Sequence, residues 1–193
     1  MFEKNLNKKT KIIGNNIIYF KEINSTQTKI RELAEKKVEN GTVVITDNQT
    51  NGIGTHDRKW YTEKAKNLTF SMVVYPKCTV KQLDTLTIDI AKIITNAIKK
   101  LYGIKLDIKK PNDVIFNGKK IGGILTQIIS SGEKIKYLLI GIGFNVNQVI
   151  FSDDIKEIAT SLKFELNKEF SREDILEEIL FGFENYFIEN KII

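Results

Sequence analysis

The segment 105–146 constrains the fold most, because it places four apolar, strand-like stretches in a row with only short turn signals between them. These stretches are KLDIKK, DVIF, KKIGGILTQIIS and IKYLLIGIGFNV. Asn117-Gly118 joins the second stretch to the third, and this dipeptide favours a two-residue hairpin turn. The SGEK sequence at 131–134 supplies another turn before the last stretch. Consecutive strands joined by such turns pair as neighbours, so the segment predicts an antiparallel meander.

Amphipathic helices and further strands surround this meander in the sequence. Apolar residues recur at helical spacing in three stretches, namely 24–41, 80–103 and 171–191. Gly41 and Gly103 lie where the first two helices are expected to end, and a capping box from Ser171 to Asp174 opens the third. Three β-rich runs are expected as strands, at 15–23, 42–48 and 67–76. The predicted fold class is α+β, with a central mixed or mainly antiparallel sheet flanked by helices.

Size and composition narrow the class of protein. A chain of 193 residues, 41% of them hydrophobic, is expected to form a single domain over 1–193. The lone Cys78 cannot form an internal disulfide, no apolar run approaches the roughly 20 residues of a membrane span, and the N-terminus is too polar for a signal peptide. We therefore expect a cytoplasmic protein with no membrane association. The net charge of +6 is spread along the chain, which favours a solvated basic surface over a nucleic-acid site and suits an anionic ligand.

The glycine-containing segment QTNGIGTHDRKW, residues 49–60, is the first candidate site. Gly52 and Gly54 allow backbone N–H groups to approach a phosphate or carboxylate closely, and Arg58 can pair with phosphate oxygens through two hydrogen bonds. The segment matches neither the dinucleotide fingerprint nor the phosphate loop with its G-K-[ST] ending. His56 is the only histidine and has no metal cluster around it in the sequence, so we interpret it as solvated. A plain surface turn is the alternative interpretation of the glycines.

Further segments combine polar residues with glycine. The STQ sequence at 25–27 opens a predicted helix, where its side chains can either cap the helix or bind a polar ligand group. Asn112 and Asp113 offer an amide and a carboxylate to a nucleotide or to Mg²⁺. The glycine pair at 122–123 lies within a strand-like run and predicts a bulge or the close approach of a ligand. Each of these segments is ambiguous when taken alone.

The order and spacing of the segments resemble the catalytic domain of biotin protein ligases, also called biotin–[acetyl-CoA-carboxylase] ligases. The motifs that carry this resemblance are NSTQ, QTNGIGTHDRKW, NLTFSM, KKPNDVIFNGKKIGGIL and LIGIGFNVN. The resemblance implies a class II aminoacyl-tRNA synthetase-like fold, which lipoate ligases share. It also implies an enzyme that joins biotin and ATP, with Mg²⁺, into biotinyl-5′-AMP and then passes biotin to a lysine of a biotin carboxyl carrier protein.

The resemblance also implies roles for individual residues. Lys109, two places before Pro111 in the K-x-P-N-D motif, is expected to be the central catalytic cation near the biotin carboxylate and the α-phosphate. Arg58 of the R-K-W motif is expected to hold phosphates as a second catalytic residue. The positions implied to contact biotin are Ser25, Thr26, Gln27, Gln49, Gly52, Ile53, Gly54, Thr55 and Gly123. The positions implied on the ATP side are Arg58, Trp60, Lys109, Asn112 and Asn145, with Asp113 as the Mg²⁺ ligand.

The chain departs from the family pattern at several places. The family's loop often reads G-R-G-R-R-G, whereas residues 52–57 read GIGTHD, so we expect weaker retention of the adenylate. Lys110 stands in place of a tryptophan, and Gln127 stands in place of an acidic residue after G-I-L. Few residues precede the first predicted strand, so we expect no N-terminal winged-helix domain and no operator binding. The family's small C-terminal β domain is also expected to be absent.

Two alternatives to biotin ligation stay open. The same fold could use lipoate or octanoate, although the R-K-W and K-x-P-N-D motifs favour biotin. The chain could also bind biotin or its adenylate with impaired ligation, given the loop substitutions. The oligomeric state is open as well, and a homodimer formed through the sheet edge is one of the options.

Overall fold

A computed structural model describes residues 9–55, 58–132 and 134–193 of the chain. The strands are β1 (Ile17–Phe20), β2 (Val43–Thr46), β3 (Leu68–Val74), β4 (Asp107–Lys109), β5 (Asp113–Phe116), β6 (Lys119–Ser131) and β7 (Lys134–Phe144). The helices are α1 (Thr26–Glu35), α2 (Leu86–Tyr102), α3 (Leu162–Leu166) and α4 (Arg172–Glu189), and a 3-10 turn, Val80–Leu83, precedes α2. Within the described ranges, no helix combines the length and the apolar character needed to cross a bilayer.

The strands form one sheet in the order β1-β2-β3-β7-β6-β5-β4. β1 and β2 run parallel, and every other pair of neighbours runs antiparallel. The predicted mixed, mainly antiparallel sheet is therefore confirmed. Asn117 and Gly118 both have positive φ angles, 48° and 79°, and make the predicted tight hairpin between β5 and β6. Together β4 to β7 form the expected antiparallel meander.

Alternation along the strands divides the sheet into two unequal faces. Even-numbered residues of β3 and β7, such as Phe70 and Ile140, belong to the large core, which also contains the apolar sides of α2 and α4. Odd-numbered residues of the same strands, such as Val73 and Leu139, pack with Ile30 of α1 in a smaller cluster. Because α1 is only 10 residues long, it covers one end of this second face. The rest of the second face carries small and polar side chains.

The helices differ from the predicted ones at three points. The first helix ends at Glu35 rather than at Gly41, because Lys37 already takes a left-handed conformation with φ 57°. The predicted helix over 80–103 is divided, since a 3-10 turn and a break precede α2. Gly103 ends α2 as predicted, with φ 70°. Helix α3 was missed, because its five residues are too few to show a helical repeat.

Candidate active site

Two adjoining cavities share Gly54, Thr55, Trp60 and Lys120 in their linings, and the first of them lies beside the first turn of α1. The first, which we call the inner pocket, is enclosed by α1, the segment 49–60 and the strands β3, β6 and β7. Its free volume is about 40 Å³, which is room for only a few water molecules. A bicyclic ligand therefore requires part of the lining to move. The side chains that matter most below are Thr26, Gln27, Gln49, Trp60, Ser71 and Lys120.

A buried polar network joins three distant segments at the inner pocket. Gln49 Oε1 accepts hydrogen bonds from the backbone N–H of Thr26 at 2.8 Å and from Thr26 Oγ1 at 3.1 Å. Thr26 Oγ1 and Ser71 Oγ lie 2.8 Å apart. Because the Thr26 hydroxyl has one proton and gives it to Gln49, the Ser71 hydroxyl is the donor to Thr26. The network satisfies an N–H group of the first helical turn and positions that turn over β3.

Glycines in β6 and β7 make room for the indole of Trp60. A Cβ atom on Gly143 would lie 2.2 Å from Cε2 of the ring, and a Cβ atom on Gly123 would lie 2.9 Å from Cζ3. Neither distance is tolerable, so these two positions must lack a side chain for the ring to lie where it does. The Nε1 atom of Trp60 is buried and has no hydrogen-bond partner among the described residues. The indole thus forms a wall of the inner pocket with an unused donor.

The glycine-containing segment folds back on itself across the mouth of the inner pocket. Gly54 N–H donates to Arg58 O at 2.7 Å, and Trp60 N–H donates to Gly52 O at 3.0 Å. A Cβ atom on Gly52 would lie 2.4 Å from Trp60 O, so this residue is required for the close return of the chain. His56 and Asp57 lie outside the described residues. The segment is therefore more than a plain surface turn, because it carries the residues that wall the pocket.

The second cavity, which we call the outer pocket, measures about 430 Å³ and shares Trp60 with the inner pocket. Its lining contains more cationic than acidic side chains. The cations are Arg58, Lys59, Lys109 and Lys120, and the acids are Asp113 and Glu157. Such an excess of positive charge favours an anionic group such as a polyphosphate. The outer pocket is large enough for part of a nucleotide.

Lys120 lines both pockets, although the sequence analysis did not single it out. Its Nζ atom lies 2.7 Å from Asp113 Oδ1 and 5.5 Å from the centre of the Trp60 ring. Lys109, the predicted central cation, is exposed and lines only the outer pocket. Lys120 is therefore the ammonium at the junction between the two cavities.

A β-bulge directs Lys120 toward this junction. Val114 of β5 pairs with Gly122, whereas the next residue, Ile115, pairs with Lys120. Ile121 is therefore an extra residue in β6, as the glycine pair predicted. The insertion shifts the alternation of the strand, so that Lys120 lies on the same face as the inner pocket rather than in the large core.

The structure brings most of the predicted biotin positions together. Seven of them line the inner pocket, namely Thr26, Gln27, Gln49, Ile53, Gly54, Thr55 and Gly123. Ser25 does not line it, since its Oγ atom caps α1 by accepting from Thr28 N–H at 3.4 Å. Gly52 does not line it either. Its role is to let the chain pass close to the backbone of Trp60, as described above.

The predicted ATP positions separate into two groups. Arg58, Trp60, Lys109 and Asn145 line the outer pocket, whereas Asn112 lines the inner one. The Asn145 side chain is buried and donates to Thr160 O at 3.0 Å, so part of its hydrogen-bonding capacity serves the fold. Asp113, the predicted Mg²⁺ ligand, faces the ammonium of Lys120. Over the described ranges, there is no group of three or more His, Cys, Asp or Glu side chains that could hold a metal ion.

Comparisons of the chain with family models, with curated proteins and with solved structures indicate the same family. Residues 19–145, more than half of the chain, match the biotin/lipoate A/B protein ligase family. The bifunctional ligase/repressor BirA of Bacillus subtilis is 36% identical over 178 residues, covering 91% of this chain and 55% of that protein. This chain thus spans about half the length of the curated relative it matches.

Solved structures agree with this assignment. A biotin protein ligase from Aquifex aeolicus in complex with biotin and ATP has a TM-score of 0.78 and 32% identity, covering 92% of this chain and 72% of that one. A biotin protein ligase from Leishmania major in complex with biotinyl-5-AMP has a TM-score of 0.74 and 27% identity, covering 91% and 76%. With its sheet, its helices and its two cavities in this arrangement, the chain belongs to the biotin/lipoate A/B protein ligase family.

Proposed function

We propose that this chain activates biotin with ATP to form biotinyl-5′-AMP and transfers biotin to a lysine of a biotin carboxyl carrier protein. The observation that carries this proposal is the meeting of a small polar pocket and a cationic pocket at one ammonium group, Lys120. Two solved biotin protein ligases named above support the choice of substrates. One is in complex with biotin and ATP, and the other is in complex with biotinyl-5-AMP.

The first step has an electrostatic difficulty that this geometry addresses. A carboxylate oxygen of biotin attacks the α-phosphorus of ATP, the bond to the bridging oxygen breaks, and pyrophosphate leaves. Both reactants are negative, so a cation at their meeting point lowers their repulsion and stabilises charge on the phosphoryl oxygens. We assign this role to Lys120, with biotin in the inner pocket and the triphosphate in the outer one. Lys109 and Arg58 then act on the phosphates from the outer pocket.

Magnesium enters this scheme as part of the substrate. Mg²⁺ commonly binds proteins through one or two carboxylates together with substrate phosphates, and it keeps several water ligands. Asp113 lines the outer pocket and can supply one carboxylate once the phosphates compete for the ammonium of Lys120. The absence of a larger acidic cluster in the described ranges fits a metal that arrives bound to ATP.

The second step requires protection of the mixed anhydride from water. The amine of the carrier lysine attacks the acyl carbon of biotinyl-5′-AMP, the bond to the phosphate oxygen breaks, and AMP leaves. Before the amine arrives, water must be excluded from the same carbon. Residues 53–55 and the Trp60 indole line the inner pocket and can supply this cover after they move to admit the ligand.

The proposal is tested by incubating the protein with biotin, MgATP and a carrier domain, and by weighing the carrier with intact-mass spectrometry. We expect a gain of one biotin, and a fall in rate of roughly 10²–10³-fold in Lys120→Ala, the size typical for loss of one transition-state electrostatic contact. Lys119→Ala is the matched control, because Lys119 is adjacent but its Nζ atom points to Lys156 O at 3.3 Å. If no mass is gained and no biotin-dependent pyrophosphate is released, the ligase proposal is wrong.

The same assay separates the alternatives. A mass gain with lipoate but not with biotin would indicate the other substrate class of the family. Pyrophosphate release without transfer would indicate an adenylating protein with impaired ligation. If the rate of biotin transfer falls further in Lys109→Ala than in Lys120→Ala, Lys109 rather than Lys120 is the central catalytic cation.

A further inference from the structure

The side chain of Gln27 presents an unused hydrogen-bond acceptor in the inner pocket. Gln27 lies in the first turn of α1, lines the inner pocket and is only 5% exposed. Its Nε2 atom donates to Gln127 Oε1 at 3.0 Å. Its Oε1 atom is buried and has no partner in the described part of the chain. A Cβ atom on Gly141 would lie 2.6 Å from this oxygen, which therefore lies over the glycine in the pocket floor.

The orientation of the Gln27 amide follows from a residue outside the pocket. Arg31, one turn further along α1, donates from Nη2 to Gln127 Oε1 at 2.8 Å. A guanidinium group can only donate, so the oxygen of the Gln127 amide must face Arg31. The same oxygen faces Gln27 and can only accept, so Gln27 must offer its nitrogen there. The oxygen of Gln27 is then left on the other side, in the pocket.

The neighbouring polar groups do not present a free acceptor of fixed direction to a ligand in the inner pocket. Gln49 Oε1 already accepts from Thr26, and the hydroxyl of Thr26 in turn accepts from Ser71. The hydroxyl of Thr69 is buried and has no partner within residues 9–55, 58–132 and 134–193, but a hydroxyl can donate or accept as the ligand requires. Gln27 Oε1 is therefore the acceptor of fixed direction among these groups, and the indole N–H of Trp60 is an unused donor of fixed direction in the same lining.

We propose that Arg31, Gln127 and Gln27 form a relay that makes the inner pocket select a ring bearing an N–H donor. The relay rests on the proposed function, since it names the part of the substrate that is recognised. The ureido ring of biotin offers two N–H groups, whereas the dithiolane ring of lipoate offers none. A buried acceptor that finds no donor is costly, so a lipoyl group would leave Gln27 unsatisfied.

The relay also explains how the chain tolerates glutamine at position 127. An acidic residue there would accept from both Arg31 and Gln27, because an ionised carboxylate only accepts. Gln127 does the same with its amide oxygen as long as Arg31 fixes the orientation of that amide. Arg31 is therefore more important for the polarity of the pocket here than it would be beside a carboxylate.

The test compares the affinity for biotin and for lipoate by titration calorimetry of the purified chain. Gln127→Leu and Arg31→Met break the relay, whereas Gln127→Glu keeps its direction. We expect the two breaking variants to bind biotin roughly 10- to 100-fold more weakly, as for loss of a partner of a buried polar group, and Gln127→Glu to stay near the wild type. Lipoate affinity should change little in any of them. Lys29→Met, on the exposed side of α1, is the matched control.

Biotin methylated on a ureido nitrogen provides a second measurement that a general loss of structure would not mimic. Methylation of the nitrogen that faces Gln27 should weaken binding to the wild type, and this penalty should shrink in Gln127→Leu. If the wild type binds biotin but both breaking variants bind it as tightly, the relay is wrong and the ligase proposal stands. If the wild type shows no binding of biotin, the proposed function fails and the relay fails with it.

Discussion

Replacement of Gly143 by alanine is the sharpest test of the site geometry, because the structure leaves no room for one methyl group. The new Cβ atom would lie 2.2, 2.4 and 2.5 Å from Cε2, Nε1 and Cζ2 of Trp60. The backbone of Gly143 cannot retreat, since it pairs with Thr69 on one side and with Gly123 on the other. The rigid indole must therefore rotate away from the floor of the inner pocket.

The expected loss of stability in Gly143→Ala follows from the free-energy cost of overpacking. Forcing a side chain out of a well-packed position costs roughly 1–3 kcal/mol, and 1 kcal/mol lowers the Tm of a chain of this size by about 2–4 °C. We therefore expect Gly143→Ala to lower the Tm by roughly 2–12 °C. Since the displaced indole also leaves the wall of the inner pocket, we expect biotin binding to weaken.

A double-mutant cycle with Trp60→Ala isolates the clash. In the Trp60→Ala background the ring is gone, so adding Gly143→Ala should have little further effect on the free energy of unfolding measured by circular dichroism in urea. Trp60 is the only tryptophan of the chain, so its fluorescence in Gly143→Ala reports on the site alone. An equal destabilisation in both backgrounds, with an unchanged emission maximum, would refute the proposed contact between the indole and Gly143.

Two further predictions concern the N-terminal segment and the loop. Burial disfavours the charged form of Glu184, but backbone N–H groups of residues 11–13 donate to its carboxylate and hold its pKa below the usual range. This stabilisation is present above the unfolded pKa of about 4.3 and is lost as the pH falls, so Glu184→Gln should cost about 1–3 kcal/mol at pH 7 and much less at pH 3, by urea unfolding. The loop carries Ile53 and Thr55 instead of arginines, so we expect biotinyl-5′-AMP to leak into solution in the absence of carrier, and retention as tight as in arginine-rich relatives would contradict this.

Local signals in the sequence were sufficient for the framework of the fold. The Asn117-Gly118 hairpin was predictable because that dipeptide accepts the positive φ angles that the turn needs. Gly103 ended α2 for a similar local reason. The end of α1 was not predictable, because Lys37 takes the left-handed conformation that glycine would be expected to supply.

The site was harder to predict than the fold, because its chemistry depends on the register of strands. A strict alternation along β6 places Lys120 on the same face as Gly122, in the large core. The extra residue Ile121 reverses this, and its position is defined only by the pairing of β5 with β6. The glycine pair did predict a bulge, and the consequence for the preceding lysine could have been drawn from it. The contact between Gln27 and Gln127, 100 residues apart, has no such signal.

The same division of the sheet explains why this face, and not the other, carries the site. The large core fills one face with α2 and α4, so most side chains there are apolar. On the opposite face, the first turn of α1 contacts Ser71 and Gly141, but the helix does not cover Gly123 and Gly143. The Trp60 indole covers these two glycines instead, and the cations Arg58 and Lys59 directly precede it in the chain. The short helix gives the pocket a polar wall, and the loop gives it a cover that, under the proposed function, must move to admit biotin.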